Sequence, residues 1–163
     1  MHNDQIERRL ARIEAIEEIR RLKALYCLHC DRGYDGEALA ALFTADAVWD
    51  AGAHRGVFRG RQAIRDFFGG ISSAIPYAAH LVTNPLIEVE GEEAVGNWRM
   101  LMPCTLRDGG VESAAFQVAE YDETYRRVDG IWLIAGLKVR LRRLVVPAAT
   151  WKDPSVQGDG ERQ

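Results

Sequence analysis

Residues 4–30 contain neither glycine nor proline, and charged side chains are mixed with apolar ones throughout. Leu10, Ile13, Ile16 and Ile19 recur at helical spacing, followed by Leu22, Leu25 and Tyr26. The pattern predicts one long amphipathic helix stopping near Gly33, and such a helix needs a partner surface for its apolar stripe. Asp35 reads as the N-cap of a short second helix over 37–43. Residues 47–51 and 56–59 read as a hairpin. A third helix is expected over 61–73, with Ile64, Phe67, Phe68 and Ile71 on its buried side and Pro76 beyond its end.

The second half of the chain reads as strands over 78–89, 94–106, 114–127 and 131–146. Turns fall at Glu90–Gly91–Glu92, in the Arg107–Asp108–Gly109–Gly110 loop and at Asp129–Gly130, a strong hairpin signal. Pro85 and Pro103 mark bends, edges or bulges. Helices followed by a mostly antiparallel sheet is an α+β order. A strongly curved sheet wrapped over the long helix would leave a pocket between them.

At 163 residues, the chain is expected to be one domain over 1–152, with a polar, disordered tail over 153–163. A net charge of -3 argues against a general nucleic-acid binder. No apolar run approaches the roughly 18 residues of a membrane span. The Glu- and Arg-dense start is unlike a secretory signal, so the expected location is cytoplasmic. Cys27, Cys30 and Cys104 do not make a disulfide framework. Cys27–Leu28–His29–Cys30 lies inside a helix with no second ligand pair, so its cysteines read as small buried apolar residues, and no metal is expected.

Several local patterns resemble one family. They are Ile19–Arg20–Arg21–Leu22, Tyr26, Asp31–Arg32–Gly33, the run from Leu39 through Phe43 to Val48, Gly60–Arg61–Gln62–Ala63–Ile64, His80–Leu81–Val82–Thr83–Asn84, and Tyr121–Asp122–Glu123 with Asp129–Gly130–Ile131–Trp132. Together they resemble the SnoaL-like branch of the nuclear transport factor 2-like superfamily, across roughly residues 10–143. The resemblance implies a cone-shaped α+β barrel with three N-terminal helices packed on a strongly curved, mostly antiparallel sheet. Within the superfamily the chain is similar to the scytalone dehydratase, bile-acid 7α-dehydratase and hexachlorocyclohexane dehydrochlorinase group.

In that group an Asp at the end of the first helix pairs with a His on the first long strand, and Asp31 and His80 fall at those places. Tyr26 matches a Tyr of the bile-acid enzyme, and Trp49 a pocket Trp of the dehydrochlorinase. The dehydrochlorinase has Lys where Tyr26 stands, Cys where Ala78 stands and Arg near Leu137; these departures point away from dehydrochlorination. The second acid of the bile-acid enzyme has no counterpart, because residues 98–106 hold no Asp or Glu.

The implied chemistry is proton transfer. Histidine titrates near neutral pH, and an aspartate on one ring nitrogen fixes its tautomer and stabilises the imidazolium. The expected catalytic residues are Asp31, His80 and Tyr26. The expected pocket walls are Trp49, Ala78, Val82, Trp98, Met100, Met102 and Leu137. The plainer alternatives are core packing for Tyr26 and Trp49, a structural hydrogen bond for His80, and an ion pair with Arg32 for Asp31. His54 reads as exposed. On the last strand Leu133, Ala135, Leu137, Val139 and Leu141 are expected to form an apolar face, with Lys138, Arg140 and Arg142 opposite. The function expected is a cofactor-independent lyase, dehydratase-like, or isomerase on a small, largely apolar cyclic substrate, in a homotrimer or homodimer. The alternatives are a non-catalytic scaffold, like the β subunit of an aromatic-ring-hydroxylating dioxygenase, and a binding or polyketide-cyclase-like protein.

Overall fold

The structure is a computed structural model, and it describes residues 2–148. The expected tail over 153–163 lies outside the described residues.

Helix α1 (His2–Asp31) runs unbroken. Ala15, Ile19, Leu22, Lys23, Tyr26, Cys27 and Cys30 are its buried side. Ile6, Leu10 and Ile13 belong to the predicted stripe but are 49%, 53% and 58% exposed. Periodicity identifies a stripe, but not how far its covering surface extends. The helix ends where Gly33 takes φ 90°, which costs glycine nothing. Tyr34 follows at φ 59°, and its N–H donates to the carbonyls of His29 and Cys30. This unusual backbone turns the Tyr34 ring into the core.

Helix α2 (Gly36–Ala40) is capped as expected: Ala38 N–H donates to Asp35 Oδ1 at 3.0 Å. It stops short of Phe43, which instead begins strand β1 (Phe43–Asp50). The predicted hairpin pairs β1 with β2 (Val57–Arg59), with one unpredicted turn of helix, α3 (Gly52–Arg55), between them. Helix α4 (Arg61–Ile71) buries Ile64, Phe68 and Ile71. Strands β3 (Tyr77–Ala78), β4 (Leu81–Glu90), β5 (Glu93–Asp108), β6 (Val111–Val128) and β7 (Ile131–Val145) follow.

The sheet order is β2-β1-β7-β6-β5-β3, with β4 also on β5. All pairs are antiparallel except β1 with β7. The sheet is strongly curved but does not close. Its concave face carries Trp98, Met100, Met102 and Cys104 of β5, in register with Tyr121, Ala119, Gln117 and Ala115 of β6.

Irregularities on β7 and along residues 78–89 overturn simple alternation. On β7, Tyr125 faces Ile134 but Thr124 faces Gly136, so Ala135 is an extra residue. Trp132 and Ile134 are therefore buried before it, and Leu137 after it; Leu133, Ala135 and Leu137 do not share one buried face. Gly136 suits the spot, because a Cβ there would lie 2.7 Å from Thr124 Oγ1. The second break splits the predicted strand 78–89. Ala79 N–H still bonds Pro103 O at 3.0 Å, but Ala79 and His80 belong to neither β3 nor β4. A further register shift sits around Pro85, with Asn84 at φ 53°.

Candidate functional site

The gap between β3 and β4 lies opposite the last residue of α1. There the Asp31 carboxylate takes over the part of a sheet neighbour. Its Oδ1 and Oδ2 accept the His80 backbone N–H at 3.0 and 3.1 Å, and Oδ1 lies 2.7 Å from His80 Nδ1. An ionised carboxylate only accepts, so Nδ1 carries the proton of this bond and the neutral ring keeps its lone pair on Nε2. Asp31 sits at a helix C-terminus, where the macrodipole disfavours a negative charge. The two N–H donors of His80 offset that cost. Among the described residues Asp31 makes no ion pair with Arg32.

The His80 side chain is 6% exposed, against 31% for Asp31. Asp31 therefore lies behind the imidazole on the solvent side, while His80 lines a cavity between the helices and the concave sheet. Tyr26 and Asp31, five residues apart on α1, need not face the same space. Tyr34 meets the imidazole edge-on, with centroids 6.1 Å apart, and stacks on Phe68 at 6.2 Å.

Tyr26 lines the same cavity. Its hydroxyl accepts the Trp49 Nε1 proton at 3.2 Å. Burial, reinforced by Cys30 and Tyr121, raises its pKa well above the ordinary value, so it remains a proton donor. Trp49, Phe67 and Phe68 make an aromatic wall, with centroids 4.6 Å apart for Trp49–Phe67 and 5.1 Å for Phe67–Phe68. Met100, Met102, Gln117 and Tyr121 form the sheet side, and His54, Arg55, Ile71 and Ile75 also line the cavity. The free volume is about 60 Å³, well below the roughly 300–1,000 Å³ of typical ligand sites. A ring compound enters only if side chains of the lining swing aside.

Of the expected wall residues, Trp49, Met100 and Met102 line the cavity. Ala78, Val82, Trp98 and Leu137 do not. Ala78 pairs with Cys104 and is buried before the strand break that frees His80. Val82 pairs with Met100 and packs against the core from the side. Trp98 lies deeper and donates to the Tyr125 hydroxyl at 2.9 Å. Leu137, beyond the bulge, is buried in register with Trp49 and Glu123. His54 is exposed as expected, yet it also borders the cavity.

A buried ion pair was missed. Lys23 Nζ and Glu123 Oε1 are 2.5 Å apart, both side chains 0% exposed. Lys23 also sits 3.4 Å above the Tyr121 ring and 4.5 Å above that of Tyr26. Glu123 Oε2 accepts the Tyr125 hydroxyl. The signal was present: Lys23 stands four residues from both Ile19 and Cys27 on the buried face, and Glu123 alternates in phase with Tyr121 and Tyr125. The outer basic stripe is partnered, with Arg140 on Asp122 at 2.7 Å and Arg142 on Glu120 at 2.6 Å. Among the described residues, no group of three or more His, Cys, Asp or Glu is placed to hold a metal ion, and no helix is long and apolar enough to cross a membrane.

A strongly curved sheet backed by helices is the architecture of nuclear transport factor 2-like domains. The chain belongs to the SnoaL-like domain family, whose model matches residues 11–138. Among solved structures it is similar to Rv3472 of Mycobacterium tuberculosis, a protein of unknown function, at 32% identity and TM-score 0.67 over 80% of this chain and 73% of that one. It is similar in fold to a type 2 hexachlorocyclohexane dehydrochlorinase, LinA, at 19% identity and TM-score 0.80, covering 88% and 97% of the two chains. It also resembles an NTF2-like protein with a cystatin-like fold from Novosphingobium aromaticivorans, at 25% identity and TM-score 0.67, over 86% and 89%. None of the curated proteins matches the chain in sequence.

Proposed function

We propose that the chain is a cofactor-independent lyase, dehydratase-like, or an isomerase, acting on a small and largely apolar cyclic substrate. The observation that carries this reading is the 2.7 Å His80 Nδ1–Asp31 Oδ1 bond on an imidazole that lines an aromatic cavity. His80 Nε2 accepts a proton from a substrate C–H, and Asp31 stabilises the imidazolium that forms. In elimination the same proton leaves with a hydroxyl as water; in isomerisation it returns to another carbon. Tyr26, held protonated by burial, donates to a substrate oxygen. Trp49, Met100 and Met102 shape the apolar walls.

The test is a screen of small cyclic ketones and β-hydroxy ketones in deuterated buffer with chelator present, followed by proton NMR. The reading expects site-specific deuterium uptake or loss of water from at least one ring compound, with His80→Gln inactive on it. Turnover that is unchanged in His80→Gln removes the assignment.

A further inference from the structure

Among the described residues, the cavity lining carries one arginine and no carboxylate. Arg55, the last residue of α3, lines it together with His80. The remaining titratable groups in its lining are Tyr26, Tyr34, His54 and Tyr121. No Asp or Glu is among them; Asp31 stands behind the imidazole, engaged with His80. Arg55 is partly buried and has no hydrogen bond or ion pair among the described residues. By contrast Arg65, Arg107, Arg126, Arg140 and Arg142 all have carboxylate partners. Burial lowers the Arg55 pKa somewhat, opposed by Tyr34 and Cys104, the ionisable groups whose fields it feels. The guanidinium nevertheless stays charged, as arginine does in proteins. An unpaired charge partly taken from water in a cavity also lined by Phe67, Phe68 and Trp49 is unfavourable unless something neutralises it. The other polar side chains of the lining are the Tyr26, Tyr34 and Tyr121 hydroxyls, the His54 and His80 imidazoles and the Gln117 amide, and none is a carboxylate.

We infer that Arg55 is the oxyanion ligand of this site, and that the substrate carries a carboxylate or carbonyl oxygen next to the carbon that loses its proton to His80. This rests on the cavity being the substrate site proposed above, and adds a substrate class to it. When the C–H bond breaks, the proton goes to His80 Nε2 and the electron pair moves into the adjacent C–O unit, making an enolate oxygen. A carboxylate on the ring pairs with a guanidinium through two parallel hydrogen bonds, and a single enolate oxygen accepts charge-assisted hydrogen bonds from it. Loss of hydroxide from the next carbon, with the His80 proton, then gives water and a C=C bond. No oxidant or metal enters the balance.

The experiment uses the full chain at pH 8, where free imidazole is mostly neutral, with Arg55→Gln, Arg55→Lys and His80→Gln alongside. Affinities of benzoate and benzamide, equal in shape but different in charge, are measured by NMR titration. The ionisation of bound 4-nitrophenol is read by absorbance. If the anion resides on the substrate, the wild-type protein prefers benzoate over benzamide by about 10- to 100-fold, the range of one buried charge-assisted pair. If the anion develops in the reaction, bound 4-nitrophenol ionises at lower pH than in solution. In either case Arg55→Gln removes the effect and Arg55→Lys keeps part of it, while His80→Gln reports on the proton-transfer reading separately, through turnover. Absence of both effects in the wild-type protein overturns the inference, as does their persistence in a folded Arg55→Gln variant. Failure of the proton-transfer reading would appear separately, as turnover indifferent to His80.

Discussion

Replacing Lys23 by Met keeps most of the side-chain volume but strands the Glu123 carboxylate inside the core. Both groups are 0% exposed and 2.5 Å apart. The partners left to Glu123 would be the Tyr125 hydroxyl and whatever water penetrates. The ammonium's contacts with the faces of Tyr121 and Tyr26 would go as well. Breaking one side of a buried ion pair costs about 3–5 kcal/mol. With a urea slope of about 2 kcal/mol/M, the unfolding midpoint falls by about 2 M. The second substitution separates charge from packing. Lys23→Met with Glu123→Gln leaves no net charge and retains an acceptor for Tyr125, so the double variant should recover at least half of the loss. Urea titrations followed by tryptophan fluorescence measure both. A single variant within about 1 kcal/mol of wild type, or a double variant no more stable than the single one, would refute the reasoning.

Three further outcomes are expected. Burial, partly countered by Lys23, pushes the Cys27 thiol from its ordinary 9.0 to about 11. Below pH 9 the thiol is protonated in both states; above it only the unfolded thiol ionises, so stability is lost progressively towards pH 11. The loss is about 3 kcal/mol by linkage, and Cys27→Ala should flatten that part of the pH–stability curve. Gly36→Ala puts a Cβ 2.6 Å from the Arg65 carbonyl oxygen, forcing α2 away from α4; a loss of about 1–3 kcal/mol is expected in thermal or urea unfolding. The exposed Ile6, Leu10 and Ile13 of α1 and the outer sheet face around Arg140 and Arg142 are expected to be covered in a homodimer or homotrimer, and light scattering at micromolar concentration should give a multiple of the 18.3 kDa chain mass.

The long helix, the hairpin turns and the four long strands were legible because hydrophobic period and glycine placement are local properties. The Ala135 bulge and the gap at Ala79–His80 were not, because each depends on what a neighbouring strand or helix end offers. The gap matters most for the site. It releases His80 from the ladder and gives its backbone N–H to Asp31, so His80 lines the cavity while Ala78 and Val82, expected beside it, do not. Asp31 and His80 themselves were found by family resemblance rather than by spacing, since they are 49 residues apart. Arg55 escaped notice because four residues of α3 carry no periodic signal. Lys23 and Glu123 were readable as charges in apolar phase, but only as a pair do they become an intelligible core feature.

The most direct test of the central claim is the rate of C–H deuterium exchange, on the first ring compound the screen identifies, in Asp31→Asn and His80→Gln compared with wild type. Proton transfer by the pair predicts that His80→Gln falls to the uncatalysed rate. Asp31→Asn, with the ring's tautomer no longer fixed and its charge support removed, should lose about 10²- to 10⁴-fold while remaining folded. Exchange at wild-type rate in both folded variants would contradict the claim, leaving the SnoaL-like fold as a scaffold or binding module.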